Sequence, residues 1–176
     1  MIHEPVTIEL HDTEWPFTYT DHDRVVVRAI VVDADGYFYF NRLVRDDIFC
    51  TGTVIETAGG GVESGEDLSA ALRRELQEEL GAEVEILTEL GTVSDYYNLI
   101  HRHNINHFYL CRATAFGEKA MTAAERDTFH LSTLKMTYEE ALAEYERCTA
   151  TALGRLIAAR ELPVLHHAKA WLDAHA

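Results

Sequence analysis

A chain of 176 residues with 15 lysines and arginines against 30 aspartates and glutamates has a formal charge of −15. It offers no basic stripe to displace counterions from a phosphate backbone, which excludes polymeric nucleic acid as a partner. Hydrophobic residues make up 47%, too many for disorder and enough for one domain with a sizeable core.

Cys50, Cys111 and Cys148 are odd in number and widely spaced, so they form neither a disulfide framework nor a paired metal motif; they read as buried apolar residues of a reducing compartment. The first residues lack a basic region followed by an apolar run, and the longest apolar stretch, Val25–Val32, is interrupted by Arg28 and too short to span a bilayer. A soluble cytoplasmic protein without membrane contact is expected.

In chain order, Val6–Leu10 predicts a strand, followed by a Trp15-Pro16 break and a short segment Phe17–Thr20. This lead-in pairs either with the main sheet or with another subunit. Val25–Val32 and Tyr37–Leu43 predict a β-hairpin around the turn Asp33-Ala34-Asp35-Gly36. The remaining positions of a calcium loop are missing there. Arg42 and Arg45 follow the second strand, within reach of substrate phosphates. Thr53–Thr57 predicts a strand running into Gly59-Gly60-Gly61, a turn whose bare backbone can approach a phosphate or a metal.

Ser64 and Asp67 have the spacing of a capping box, so a helix opens near Gly65 and Gly81 ends it. Leu68, Leu72, Leu76 and Leu80 form its apolar stripe. Glu75, Glu78 and Glu79 fall beside that stripe, whereas a plain solvated acidic face would lie opposite it, nearer Arg73 and Glu66. Like charges at these spacings repel by about 0.2–0.5 kcal/mol per pair, and the helix dipole disfavours anions in the last turn. Arg74 can neutralise one carboxylate. Three crowded oxygen ligands suit a hard ion, Mg²⁺ or Mn²⁺.

Glu83–Thr92 and Asn106–Thr114 predict strands, with Tyr96, Tyr97, Asn98 and His101-Arg102-His103 in the loop between them. Tyr96 or Tyr97 can stack on a base, at about 1–3 kcal/mol each. His101, His103 and His107 lack cysteine or carboxylate partners at zinc spacing. Thr122–Arg126 reads as a loop and Phe129–Met136 as a strand. Thr137 with Glu140 caps a helix over 139–147. The tail 149–176 predicts two helices split near Leu162-Pro163, one with Leu153, Leu156 and Ile157 on its apolar face and the other with Leu165, Ala168 and Leu172, packed on the sheet or at a homodimer interface. The whole reads as a mixed-sheet α/β domain over 1–148 with a helical extension.

Gly60, five residues, Glu66, seven residues, then Arg74-Glu75-Leu76-Gln77-Glu78-Glu79-Leu80-Gly81 resembles the Nudix box of MutT-like hydrolases. Every fixed letter is present. The departures are Ala82, where a bulkier aliphatic is usual, and Ala58, where many members have proline. The resemblance implies a Nudix α/β/α sandwich with a mixed sheet and C-terminal helices, matching roughly Arg24–Arg147. It implies metal-dependent hydrolysis of a phosphoanhydride in a nucleoside diphosphate-linked small molecule: a nucleoside triphosphate, nucleotide sugar, ADP-ribose or dinucleoside polyphosphate.

It also implies roles. Glu75, Glu78 and Glu79 are metal ligands, joined by the Gly59 carbonyl and by Glu66, which binds through water or positions the helix. Arg74 orients Glu75. The catalytic set is Arg74, Glu75, Glu78 and Glu125, the last standing where some relatives place a ligand or base outside the box. Gly60 and Gly61, with Arg42, Arg45, Tyr96 and Tyr97, face the substrate. An inert ligand-sensing Nudix domain is the alternative, although such domains normally lose box carboxylates. The related isoprenoid diphosphate isomerase needs a cysteine among the glycines, and Cys50 lies too far upstream. Downstream of the box the proline marker of ADP-ribose enzymes is missing, while Tyr96 and Tyr97 fall near the marker position for dinucleoside polyphosphates.

Overall fold

The computed structural model describes residues 3–176. At its centre β2 (His22–Val32) and β7 (Arg102–Phe116) run parallel, in register from His22 opposite Arg102 to Val32 opposite Arg112. Side chains alternate across a strand, so Val27, Ala29 and Val31 enter one hydrophobic cluster while Ile30 and Val32 enter another. β3 (Phe38–Asp46) returns from β2 through the predicted turn. Asp33 closes it, accepting from the amides of Asp35 and Tyr37.

β6 (Ala82–Tyr97) lies antiparallel to β7, and β1 (Val6–Glu9) lies parallel to β6 at the edge. The lead-in strand therefore joins its own chain's sheet. β4 (Thr51–Glu56) and β8 (Ser132–Met136) both pair with β3, and β5 (Ala58–Gly61) pairs with β2. The mixed order β1-β6-β7-β2-β3-β4 forks in the middle. β2 and β3 meet only next to their turn; beyond it β2 takes β5 as partner, β3 takes β4, and Thr57 links the two branches. A wedge opens between them.

Helices cover both faces, giving the expected α/β/α sandwich. On one side α1 (Leu68–Leu80) buries Leu72, Leu76 and Leu80 against Val27, Ala29 and Val31, with Leu68 at the margin. On the other, α2 (Tyr138–Cys148) and α3 (Ala152–Ala174) pack on Phe38, Phe40 and Ile55. Ala58 and Ala82 are both buried beside α1, where the close approach of strand and helix leaves room for small residues.

The structure corrects several local expectations. α1 begins at Leu68 and its cap is Asp67, which accepts from the Ala70 amide at 2.7 Å, rather than Ser64. Gly65 takes a left-handed φ of 78°, so the chain is still turning where the helix was expected to open. Gly81, at φ 65°, ends it as predicted. The glycines are a strand, not a turn: Gly59, Gly60 and Gly61 pair with Arg28, Val27 and Val26. Lacking side chains, they show no alternation that would reveal a strand.

Tyr96 and Tyr97 end β6 rather than lying in a loop, and Ala124–Thr128 forms a short helical turn that overlaps the predicted loop Thr122–Arg126 and runs past it. Thr137 caps α2 as expected, accepting from the Glu140 amide at 3.1 Å. The tail is one helix with Pro163 inside it, not two. A proline within a helix costs about 3 kcal/mol, but Ile157, Val164 and Leu165 flank it in one core cluster, and each buried aliphatic is worth about 1.5–3 kcal/mol. Pro163 itself is exposed.

Candidate active site

The wedge in the sheet holds a cleft of about 440 Å³, within the ordinary size of a small-molecule site. Gly59, Gly60 and Glu79 stand at one side, Leu153 and Ile157 of α3 at another, and Arg24, Arg28, Arg45 and Arg102 line it together with Glu56 and Glu125.

α1 delivers the acids. Glu75 and Glu79 are buried, at 8% and 5% exposure, whereas Glu78 is only half-buried. Arg74 Nη1 donates to Glu75 Oε1 at 2.8 Å and lies 3.5 Å from Glu78 Oε2. Its remaining nitrogens bind both Glu66 oxygens, at 2.8 and 2.9 Å, and the Gly61 carbonyl at 3.0 Å. Glu66 thus anchors Arg74, whose hydrogen bonds, with one from the Glu63 backbone, hold the Glu66 pKa down to about 2. Glu79 lies deeper, accepting from the Gly59 amide at 3.3 Å and from Asn41 Nδ2.

The glycines are dictated by this closeness. A Cβ on Gly59, where φ is 153°, would lie 2.0 Å from the Val27 carbonyl oxygen; on Gly60 it would lie 2.6 Å from the Glu75 carboxylate. Burial raises the Glu75 pKa, and Glu78 and Glu125 add to the rise against the pull of Arg74. Burial also raises Glu79 well above the ordinary value, reinforced by Glu125, Glu75 and Glu56. Carboxyl groups therefore converge at the inner end of the cleft, and among the described residues no guanidinium comes within ion-pair distance of Glu79.

Beneath lies a buried ionic network that, apart from Tyr97, is outside the predicted set. Arg28 binds Glu56 at 2.7 Å, the Thr57 carbonyl at 3.1 Å and Asn106 Oδ1 at 3.2 Å. Arg160 of α3, fully buried, binds Glu56 at 2.9 Å, Glu161 at 2.7 Å and the Tyr97 hydroxyl at 2.7 Å. Glu161 accepts from the Thr57 amide and hydroxyl, at 2.8 and 2.6 Å, and from Tyr145 at 2.8 Å. Burial works against the charge of Arg160, and Tyr97, Glu161, Glu56 and Asp95 overcome it, keeping its pKa well above the ordinary arginine value. These partners stand up to 104 positions apart, so no local pattern announces them. The one sequence signal was Arg28, a charge interrupting an apolar strand.

The structure separates the remaining predicted residues. Arg45 lines the cleft, bound to Asp47 at 2.6 Å, with its guanidinium 4.5 Å from the Phe129 ring centre and 5.5 Å from that of Phe49. Arg42 does not reach the cleft. It is exposed, beside Thr53, Glu140 and Arg147, because strand alternation sends it away from Asn41 and Leu43. Tyr97 lines the cleft, edge-on to Phe49. Tyr96 points elsewhere, stacked 4.5 Å from His103 and beside His11. His101 stacks on Tyr19, and His103 bonds Ser94 and Asp23. Glu125 lines the cleft, with one oxygen accepting from the Thr122 amide at 2.8 Å.

Among the described residues, no three His, Cys, Asp or Glu side chains are already drawn together as a ligand set. Glu75 and Glu78 lean on Arg74, and Glu79 on Asn41. Their chemistry still fits a hard divalent ion, since Glu75 and Glu79 meet a backbone stripped of side chains, with Glu78 one turn of helix from Glu75 on the same side of α1.

Comparison with known proteins agrees with this arrangement. The family model described as NUDIX domain matches residues 22–152. No curated protein sequence matches the chain. Among solved structures, a MutT protein from Methanosarcina mazei Go1 is 16% identical with a TM-score of 0.61, over 88% of this chain and 96% of that one. The E. coli ORF135 protein is 24% identical with a TM-score of 0.57, over 86% and 92%. A MutT NUDIX hydrolase from Burkholderia pseudomallei is 24% identical with a TM-score of 0.55, over 68% and 86%. At these identities the likeness to the solved structures is one of fold.

Proposed function

The chain belongs to the Nudix family and is a Nudix hydrolase, and from that premise we propose that it cleaves a phosphoanhydride bond in a nucleoside diphosphate-linked small molecule using Mg²⁺ or Mn²⁺. The observation that carries the reading is the burial of Glu75 and Glu79 beside the glycine strand, with only the outer side of the acid cluster compensated by Arg74. Glu75, Glu78 and Glu79, with backbone from Gly59, would hold the ion. A divalent ion there screens phosphate charge and lowers the pKa of the attacking water.

The protein's own groups do the rest. Glu66 fixes Arg74, and Arg74 fixes the Glu75 carboxylate against Gly60. A box carboxylate takes the proton of the attacking water. Glu125 flanks the acids as a second acceptor, with one oxygen already committed to Thr122. The aromatic walls Phe49, Tyr97 and Phe129, with Leu153 and Ile157, offer a face for a base or another apolar moiety.

Purified protein with Mg²⁺ is expected to hydrolyse at least one of a nucleoside triphosphate, a nucleotide sugar, ADP-ribose and a dinucleoside polyphosphate. Glu78→Gln and Glu79→Gln should each lower the rate by orders of magnitude while the fold persists by circular dichroism. Undiminished turnover in EDTA, or in both variants, overturns the assignment.

A further inference from the structure

Four arginines line the cleft of a protein with twice as many acidic as basic residues, yet only two of them have carboxylate partners. Arg28 is held by Glu56 and Arg45 by Asp47. Arg24 and Arg102 are the others, and among the described residues neither comes within ion-pair distance of a carboxylate. They sit two register positions apart on the parallel strands β2 and β7, since Arg102 stands opposite His22 and Arg24 opposite Asn104. Alternation puts both on one face of the sheet.

Two features make this pair costly without a ligand, and a third makes room for it. Arg102 Nε is buried with no hydrogen-bond partner, and an unsatisfied buried donor costs more than an ordinary hydrogen bond gains. Arg24 is exposed as a residue, yet its guanidinium lies in the cleft, where burial first, and then the charges of Arg102 and Arg28, pull its pKa below the ordinary arginine value against the smaller opposing pull of Glu56 and Glu75. Gly61 leaves room for that head group, since a Cβ there would lie 3.1 Å from Arg24 Nε and Nη2. The Gly61 carbonyl meanwhile holds Arg74, so Arg24 flanks the acid cluster with Arg102 as its neighbour.

We propose that Arg24 and Arg102 form a clamp for a phosphoryl group outside the scissile linkage, which makes this hydrolase select substrates with an extra phosphate over diphosphates whose second moiety is uncharged. A phosphoryl group presents several acceptor oxygens to two forked donors and satisfies Arg102 Nε while cancelling the repulsion. The proposal rests on the phosphoanhydride reading of the same cleft for its substrate, but not for its binding test.

Inorganic tripolyphosphate is titrated into the metal-free protein in EDTA at fixed ionic strength, with calorimetric detection. Wild-type protein should bind it. Arg24→Gln and Arg102→Gln should each weaken binding about tenfold, and Arg102→Lys should recover part of the loss. Neither Gln variant should melt lower than wild type, because each removes an unpaired charge. In turnover, the variants should lower kcat/KM for a nucleoside triphosphate or dinucleoside tetraphosphate much more than for a nucleotide sugar. No tripolyphosphate binding by wild type, or equal losses across all substrates, overturns the clamp. Failure to hydrolyse any substrate while binding remains Arg102-dependent overturns the proposed reaction and leaves the clamp standing.

Discussion

Glu79 and the two glycines facing the acids show how single atoms decide this site. Burial, with Glu125, Glu75 and Glu56, holds the Glu79 pKa well above its ordinary 4.5, so the folded state keeps a proton that the unfolded chain releases. The associated stability is fully present below that ordinary value and is lost as pH rises through the raised one. Metal-free protein should therefore melt at progressively lower temperature from mildly acidic to neutral pH. Glu79→Gln should flatten the decline and melt higher at neutral pH, by about 2–4 °C for each kcal/mol recovered. Melting curves in EDTA across pH check this, and a parallel decline in the variant counts against it. Gly60→Ala should lower melting less than Gly59→Ala yet depress turnover, because its Cβ meets only the carboxylate end of a side chain, displacing Glu75 from Arg74; Gly59→Ala should lower melting sharply, because its Cβ meets the Val27 and Arg28 backbone. Measuring both properties on both variants separates the two cases.

The elements differ in how openly the sequence declares them. α1 was legible nearly to its ends, since leucines at helical spacing and Gly81 are local signals, and the turn joining β2 to β3 was equally plain. β5 was not, because three glycines carry no alternation, and the unity of α3 was not, because Pro163 is a local breaker overruled by distant packing. Pro163→Ala restores a backbone donor at an exposed position and should stabilise the protein by about 1–2 kcal/mol, less than the full helix penalty because the unfolded chain gains freedom. Glu161→Ala should act in the opposite direction. It removes one of the carboxylates bound to buried Arg160 and leaves the Thr57 amide and the Tyr145 hydroxyl without their acceptor, at about 3–5 kcal/mol. Denaturant melts of the two variants test whether α3 is part of the core or an appendage, and a negligible effect of Glu161→Ala favours the appendage.

At the scale of the molecule, the acidic half of the site was readable because one helix supplies it within a few turns, while of the basic and aromatic half only Arg45 and Tyr97 were. Arg24, Arg28, Arg102 and Arg160 come from three separate elements, and only the forked sheet gathers them. The net charge of −15 adds a diffuse self-repulsion that any salt screens, so a rise in melting temperature on adding MgCl₂ is ambiguous by itself. The two effects separate by specificity. NaCl at matched ionic strength should stabilise wild type and Glu79→Gln alike, because screening acts on the whole surface. Mg²⁺ or Mn²⁺ held by the acid cluster should stabilise wild type further, by about 2.7 kcal/mol at a hundredfold excess over Kd, a shift of roughly 5–11 °C. That increment should vanish in Glu79→Gln and shrink in Glu78→Gln, whose half-exposed carboxylate already shares Arg74. An increment that survives in Glu79→Gln would mean that the ion stabilises the protein from somewhere other than the buried acids of α1.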